Sequence, residues 1–325
     1  MTEPLLQRPA TLAPLFAGCW CLTGPTASGK SAVGIELARR INAEIISLDS
    51  MAVYRGMDVG TAKPSPTDRA AVRHHLIDIV DPWEDFSVAE YLRLADEAIQ
   101  QIRARGREPL FVGGTPLYLK ALLRGLFSGP AADWDYRSQL EAIARREGTA
   151  ELHRRLTLAD PRAARIVHPN DKRRLIRALE VYYQTGRPIS EQQQQFNKPP
   201  CADLLPVWVL DCPRERLRER IDRRVEGMFA AGLVDEVHSL LAAERPLSRT
   251  AGQALGYRDV FEHLTGKYDL ATTIDLVKLH TRQFAKRQLT WFRSLAECRW
   301  LQIADVFDPA AVAEKIALAG NCESR

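Results

Sequence analysis

The scarcities of this sequence come first, because each removes a class of protein. No apolar run reaches the roughly 18 residues that a membrane-spanning helix needs. The N-terminus lacks a charged segment followed by an apolar one, so no secretory signal is expected, and its opening residues read as a frayed tail. The six cysteines, Cys19, Cys21, Cys201, Cys212, Cys298 and Cys322, include no C-x-x-C pair. That excludes the common zinc spacings and, without a secretory signal, a disulfide framework; a reduced, cytoplasmic setting is the expectation. Charge of one sign is not in great excess either. A net charge of +4 does not by itself call for nucleic acid, although local clusters can do so.

What is present is an ordinary globular composition, 46% hydrophobic and 26% charged, over 325 residues, long enough for about one to three domains. Short apolar runs alternate with helical patterns. Phe16 to Thr23 leads into a glycine turn, and Ser31 to Ile41 reads as a helix with Val33, Leu37 and Ile41 on one side. "AEIISLD" (Ala43 to Asp49), "HLIDI" (His75 to Ile79), "PLFVGG" (Pro109 to Gly114) and "PVWVLD" (Pro206 to Asp211) read as strands. Ser87 with Glu90 has the form of a capping box for a helix that stops at Gly106. This alternation implies a mostly parallel sheet with helices on both faces, an α/β class. Between about Asp133 and Pro200 strands vanish and charged helical segments dominate, ending in the polar "SEQQQQFNKPP", where Gln192 to Gln195 reads as a loop. The expected organisation is an α/β core over 14–130, a helical insertion over 131–200, and core completion with basic helices over 201–325. Helices are expected at 213–231 and 269–295, with no strand foreseen in the last third.

The first chemical signal is Gly24-x-x-x-x-Gly29-Lys30-Ser31 between the first strand and the first helix. A strand–loop–helix of this kind aims backbone N–H groups and a helix N-terminus at one point. Lys30 adds a mobile positive charge and the Ser31 hydroxyl is placed for Mg2+. The motif points to a polyphosphate and is silent about which one.

Asp49 ends the next strand at the sheet edge where α/β proteins place ligands. It can be a cap or a ligand of a magnesium-bound water, or it can be a general base facing the phosphate; the residue alone does not choose. The strand "PLFVGG" does not end on the aspartate of a P-loop hydrolase but leads into Gly113, Gly114 and Thr115. The glycine pair lets something bulky approach the backbone.

Positive charge is clustered in two places. Lys172, Arg173, Arg174 and Arg177 fall within two helical turns, and the run Leu276 to Ala296 has no acid. At 100° per residue Lys278, Arg282, Lys286 and Arg293 share one face, and Val277, Phe284 and Trp291 another. The plain reading is a solvated basic face; the sharper is contact with nucleic-acid phosphates. In "RERLRERIDRR", Arg220 and Arg224 lie one turn apart and can clamp a phosphate, or pair within the helix with Glu215, Glu219 and Asp222. The segment also resembles the arginine-rich lid of nucleotide kinases.

The ordered strings "GPTASGKS", "DSMAVYRGMDVGTAKP", "HHLIDIVDP", "GGTPLY", "HPNDKRRLIRALEVY", "GYRD" and "TRQFAKRQLTWFR" resemble those of tRNA dimethylallyltransferases from Thr23 to about Arg293. "DVGTAKP" and the C-terminal string are far more specific than the glycine loop. The resemblance implies a P-loop NTPase-like core and transfer of a five-carbon prenyl group from dimethylallyl diphosphate to N6 of an adenosine. That adenosine lies immediately 3′ of the anticodon in tRNAs reading codons that begin with U, so a flipped base is expected. It implies donor diphosphate on Gly24, Pro25, Thr26, Ala27, Ser28, Gly29, Lys30, Ser31 and Arg224, with Mg2+ at Ser31. Asp49 matches the proposed base, and Thr26 the threonine near the bond being broken. For tRNA it carries over Asp49, Ser50, Met51, Ala52, Thr115, Arg137, Arg173, Arg174, Leu175, Ile176 and Arg177. The run Gln253, Ala254, Leu255, Gly256, Tyr257 and Arg258 completes that set. Ala52 stands where many relatives have Gln, and no zinc-finger spacing follows Trp300, as expected of the compact bacterial form. A monomer is expected. The alternatives are an ATP-dependent P-loop kinase of a small molecule, a prenyltransferase acting on free AMP, and a non-catalytic RNA-binding module. The basic helices and large insert argue against the first two, and the set of Lys30, Ser31, Asp49 and Arg224 against the third.

Overall fold

The computed structural model describes residues 16–127, 129–193, 206–303 and 307–323. Within these, the chain forms two compact units, residues 124–193 and residues 16–123 with 206–323.

The larger unit opens with β1 (Trp20–Thr23), α1 (Lys30–Arg40), β2 (Ala43–Leu48), α2 (Pro66–Ala71), β3 (His74–His75), α3 (Val88–Ala104), β4 (Glu108–Gly113) and α4 (Pro116–Arg124). The smaller unit follows with α5 (Trp134–Glu147), α6 (Thr149–Ala159), α7 (Pro161–Ile166), α8 (Lys172–Thr185) and α9 (Ile189–Gln192). The chain then adds β5 (Val207–Asp211), α10 (Arg214–Ala230), α11 (Leu233–Leu241), α12 (Tyr257–Leu264), α13 (Leu270–Arg293), β6 (Cys298–Gln302) and α14 (Pro309–Glu323).

The six strands form one parallel sheet in the order β3-β2-β4-β1-β5-β6, the expected P-loop-like α/β core. All residues of β1 and β2 are buried, which is why they read as mostly apolar runs, interrupted in β2 by the buried Glu44 and Ser47. Alternate strand positions, Trp20 and Leu22, Ala43 and Ile45, Leu110 and Val112, share one core with Val33 and Leu37 of α1. That core continues into Ile221 and Val225 of α10, Val277 and Ala285 of α13, and Ile316 of α14. Among the register pairs, Thr23 and Leu48 both stand opposite Gly113. β1, β2 and β4 therefore end level, and Gly24, Asp49 and Gly114 emerge together at the carboxyl edge.

Three expectations change. "HLIDI" is not a strand: β3 covers only His74–His75, and Leu76 (φ 60°) and Asp78 (φ 56°) turn left-handed. Lys63 Nζ at 2.5 Å and Arg69 Nη1 at 2.6 Å hold the Asp78 carboxylate, which fixes this turn away from the sheet. A sixth strand, β6, lies in the third that read as wholly helical. It is a half-exposed edge strand, so its apolar and polar residues show no clean alternation. Ser87 caps α3 by accepting from the Glu90 N–H at 3.1 Å, but the Glu90 carboxylate turns to Arg93 at 2.6 Å, so only half of the capping box forms. The polar loop at 194–200 and the N-terminal tail lie outside the described residues.

Residues 124–199 hold fourteen Lys and Arg against nine Asp and Glu, so the chain's positive excess originates here. Leu140, Leu152, Leu156, Leu175, Ile176, Leu179 and Val181 form this unit's own core. At its edge Glu180, fully buried, accepts from Arg137 Nε at 2.7 Å and Nη2 at 2.8 Å, from Arg177 Nη1 at 2.6 Å, and from the Asp133 N–H at 2.8 Å. Burial alone would raise the Glu180 carboxyl, but these hydrogen bonds outweigh it and hold it below the usual carboxylate range. A depressed carboxyl stabilises the fold fully above the unfolded pKa, and that contribution is lost as pH falls through the folded one. Glu180→Gln should therefore cost about 3 kcal/mol at neutral pH, because it strands two guanidinium groups. Urea unfolding should register this cost, and the gap to the unmodified chain should narrow on acidification below the carboxylate range.

Candidate active site

The loop after β1 is shaped by its own backbone. Thr23 Oγ1 donates to Gly113 O at 2.8 Å, tying the end of β1 to that of β4. A Cβ on Gly24 would sit 2.9 Å from Ser28 Oγ and 3.1 Å from Leu210 O, so only glycine fits. The turn closes through Ser28 N–H to Pro25 O at 3.2 Å, with Ala27 left-handed at φ 62°. A non-glycine residue held there stores of order 1–3 kcal/mol of strain, a frequent mark of ligand loops. Gly29 (φ 93°) starts α1 without a side-chain cap and without an acid in its first turn. The first N–H groups of α1 are thus left for an anion. Ser28 Oγ is buried with no hydrogen-bond partner, and Ser31 is exposed on the first turn.

Three cations surround this loop. Lys30 Nζ folds back to donate to Pro25 O at 3.3 Å. Burial, and next the charge of Arg224, push the Lys30 ammonium down to about 8, with Asp49 opposing them. Burial likewise lowers Arg224, again opposed by Asp49, and its Nη2 reaches Thr61 O at 3.5 Å. The Arg220 guanidinium stacks 4.6 Å from the Phe307 ring and lies 2.8 Å from where a Gly29 Cβ would be. Among the described residues no carboxylate pairs with Arg220 or Arg224, so the intrahelical alternative is not realised. Asp222 instead pairs with Arg282 at 2.9 Å.

Asp49 takes the capping role offered for it, through one of its oxygens. Its Oδ1 caps the following turn, accepting from Met51 N–H at 2.8 Å and Ala52 N–H at 3.3 Å. Its second oxygen has no hydrogen-bond partner among the described residues. Thr115 Oγ1 accepts from the Ser50 N–H at 3.0 Å, and the Thr115 N–H donates to Leu48 O at 3.1 Å. The glycine pair before Thr115 serves the chain itself. A Cβ on Gly113 would lie 2.2 Å from Leu48 O, and one on Gly114 2.7 Å from Gln288 Nε2.

The loop "DVGTAKP" is anchored by residues that sequence reasoning passed over. Glu236 accepts from three successive N–H groups, Asp58 at 2.8 Å, Val59 at 2.8 Å and Gly60 at 3.1 Å, and from the Tyr257 hydroxyl at 2.5 Å. Lys63, almost wholly buried, donates to Tyr54 O and to both Asp58 and Asp78. Tyr257, expected at tRNA, is buried against Gly60, whose Cβ would meet its ring at 2.4 Å. Gln288 is the other omission. Its signal was a polar residue on the buried seam Thr273, Val277, Thr281, Ala285, Gln288, Phe292 of α13. That seam, which includes Val277 but neither Phe284 nor Trp291, faces inward.

The residues carried over for tRNA divide by exposure. Arg173, Arg174, Gln253 and Arg258 are exposed; Ser50, Met51, Thr115 and Leu255 are partly exposed. Leu175 and Ile176 belong to the core of the smaller unit, and Ala52, Ala254, Gly256 and Tyr257 are buried, so none of these offers a side chain to a ligand. Arg137 and Arg177 are held by Glu180, with Arg137 also 4.8 Å from the Trp134 ring. Arg174 pairs with Asp171 at 3.3 Å and Arg258 with Glu262 at 3.5 Å. On α13 the supposed basic face is partly an ion-pair seam with α10, Lys278 to Glu226 at 2.7 Å and Arg282 to Asp222; Lys286 and Arg293 remain exposed. Among the described residues no group of three or more His, Cys, Asp and Glu is arranged to hold a metal.

Comparison with known proteins converges on one group. A family model for IPP transferase matches residues 52–295, and one for isopentenyl transferase matches residues 18–80. The chain is 47% identical to the tRNA dimethylallyltransferase of Rhodopirellula baltica over 302 residues, 90% of each chain. It is 48% identical to that of Desulforudis audaxviator over 296 residues, 91% of this chain and 95% of the other. The crystal structure of the full-length tRNA isopentenylpyrophosphate transferase from Bacillus halodurans aligns at a TM-score of 0.69 with 40% identity, covering 95% of this chain and 98% of that one. A eukaryotic dimethylallyltransferase caught acting on tRNA aligns at 0.76 with 29% identity over 94% and 79%. With the phosphate loop, the strand-end aspartate and nearly the whole chain matched, this protein belongs to the tRNA dimethylallyltransferase family.

Proposed function

We propose that the chain transfers a dimethylallyl group from dimethylallyl diphosphate to N6 of the adenosine 3′-adjacent to the anticodon, in tRNAs reading codons beginning with U. The observation that carries this is Asp49, with one carboxylate oxygen spent on a cap and the other unpartnered, beside an anion loop ringed by Lys30, Arg220 and Arg224. In the reaction the N6–C1 bond forms, the C1–O bond to diphosphate breaks, and the N6 proton passes to Asp49. The adenine amine is a weak nucleophile, so proton acceptance as the bond forms lowers the barrier. Negative charge grows on the leaving diphosphate, where the loop Gly24–Ser31, through the uncapped N–H groups at the start of α1, stabilises it together with Lys30 and Arg224.

The donor set suits Mg2+ in a particular way. The exposed Ser31 hydroxyl is a hard oxygen ligand, and an ion that takes few protein ligands draws the rest from phosphate and water. When bound, Mg2+ would neutralise the departing diphosphate. Residues 131–200, through Arg173 and Arg174, and Gln253 and Arg258 are the proposed tRNA contacts, on an anticodon stem-loop. We further infer a monomer working in the cytoplasm; among the described residues no helix is long and apolar enough to cross a membrane.

Labelled dimethylallyl diphosphate offered with tRNA, with AMP, or replaced by ATP plus small acceptors tests the assignment. Label should enter tRNA; label in AMP alone, or phosphate transfer from ATP, would replace it with the corresponding rival. Asp49→Asn keeps the capping oxygen and removes the base. It should retain tRNA affinity while turnover drops about 10²–10⁴-fold. Diphosphate affinity, titrated calorimetrically, should weaken as pH rises through about 8, because the free protein's Lys30 then loses its charge. Lys30→Met should bind weakly and lack that step.

A further inference from the structure

Gln288 lies in the middle of α13, within the string "TRQFAKRQLTWFR" but far along the chain from the anion loop and Asp49, and only 3% of it is exposed. Both ends of its side-chain amide are engaged. Oε1 accepts from the Thr26 N–H at 2.8 Å, and Nε2 donates to Gly114 O at 2.6 Å. The partners are an obligate donor and an obligate acceptor, so the orientation of the amide is dictated and only an amide serves both. The absence of a side chain at Gly114 is what admits it, since a Cβ there would be 2.7 Å from Nε2.

The two contacts close a path across the sheet edge. Thr26 belongs to the anion loop. Gly114 is followed by Thr115, whose hydroxyl holds the Ser50 N–H, and Ser50 follows Asp49. The Thr26 N–H, committed to Gln288, is not offered to phosphate; it serves as a fixed point of the loop. We propose that Gln288 is a positioning residue that sets the separation between the donor loop at Thr26 and the acceptor-side turn at Asp49–Ser50. This role rests on the prenyl-transfer reading and names how that site keeps its two halves in register. Transfer between two bound reactants depends on the approach distance of the reacting atoms. A misplacement of about 1 Å away from the chemistry itself can cost about 100-fold in rate.

The test is steady-state and single-turnover transfer into tRNA by the full chain and by Gln288→Met and Gln288→Glu. Methionine matches glutamine in length and loses both hydrogen bonds. For Gln288→Met kcat should fall about 100-fold, with tRNA and donor affinities little changed. Gln288→Glu can accept from the Thr26 N–H when ionised, but donates to Gly114 O only when protonated. Its kcat relative to the unmodified chain should therefore climb as pH is lowered towards the introduced carboxyl's pKa, a recovery that loss of fold stability alone would not produce. Unchanged kcat in both variants would overturn the role. So would losses carried wholly by KM, or a Gln288→Glu defect that ignores pH. No transfer into tRNA by the unmodified chain would instead overturn the reading beneath it, and the role with it.

Discussion

Gly113 is the position on which the active edge of this protein depends. Thr23 and Leu48 stand opposite it on either side, so three central strands stop at one level. Because its Cβ would fall 2.2 Å from Leu48 O, the backbones can close here only without a side chain. The level ending brings the anion loop, the Asp49 turn and the Gly114–Thr115 corner to one edge, where a parallel α/β sheet places its ligands. Hydrogen bonds then bind the three: Thr23 to Gly113, Thr115 to Leu48 and Ser50, and Gln288 to Thr26 and Gly114. These bonds pair backbone groups at the strand ends, which would otherwise be left without partners.

Charge is distributed with the same economy. The cations that support the architecture are neutralised: Lys63 by Asp58 and Asp78, Arg137 and Arg177 by Glu180, Lys278 by Glu226, Arg282 by Asp222. Lys30, Arg220 and Arg224, at the loop, have no carboxylate partner among the described residues. Burial lowers the affinity of Lys30 and Arg224 for protons, and for Lys30 the neighbouring charge of Arg224 adds to it. An anion placed there would favour the charged form of both groups, which is what the proposed diphosphate site requires. Burial without a carboxylate partner, more than the number of basic residues, distinguishes Lys30 and Arg224 from the basic residues of the surface.

Much of this was legible beforehand where a residue's role is local. The strand–loop–helix around Lys30 needs only a glycine spacing and a helix start, and the central strands, mostly buried, announce themselves as largely apolar runs. Roles that depend on a distant partner were not. Tyr257 and Gly60 looked like parts of two unrelated motifs, yet one is the ring against which the other packs. Glu236 carries no local signal, although it gathers three successive N–H groups of another segment. Lys278 and Arg282 formed a convincing basic stripe because the acids that pair with them lie on a different helix.

By itself the sequence determined the class of fold, the anion loop, and the kinship of the chain, since these rest on periodicity and on ordered strings of residues. Tertiary structure alone decided which cations are left unpaired, which carboxylate oxygen stays unpartnered, and that the glycine pair makes room for Leu48 and Gln288. The physical reason is that pairing is a property of space: a hydrogen bond or ion pair between residues such as Thr26 and Gln288 leaves no trace in local pattern. Only the folded sheet edge brings the two together.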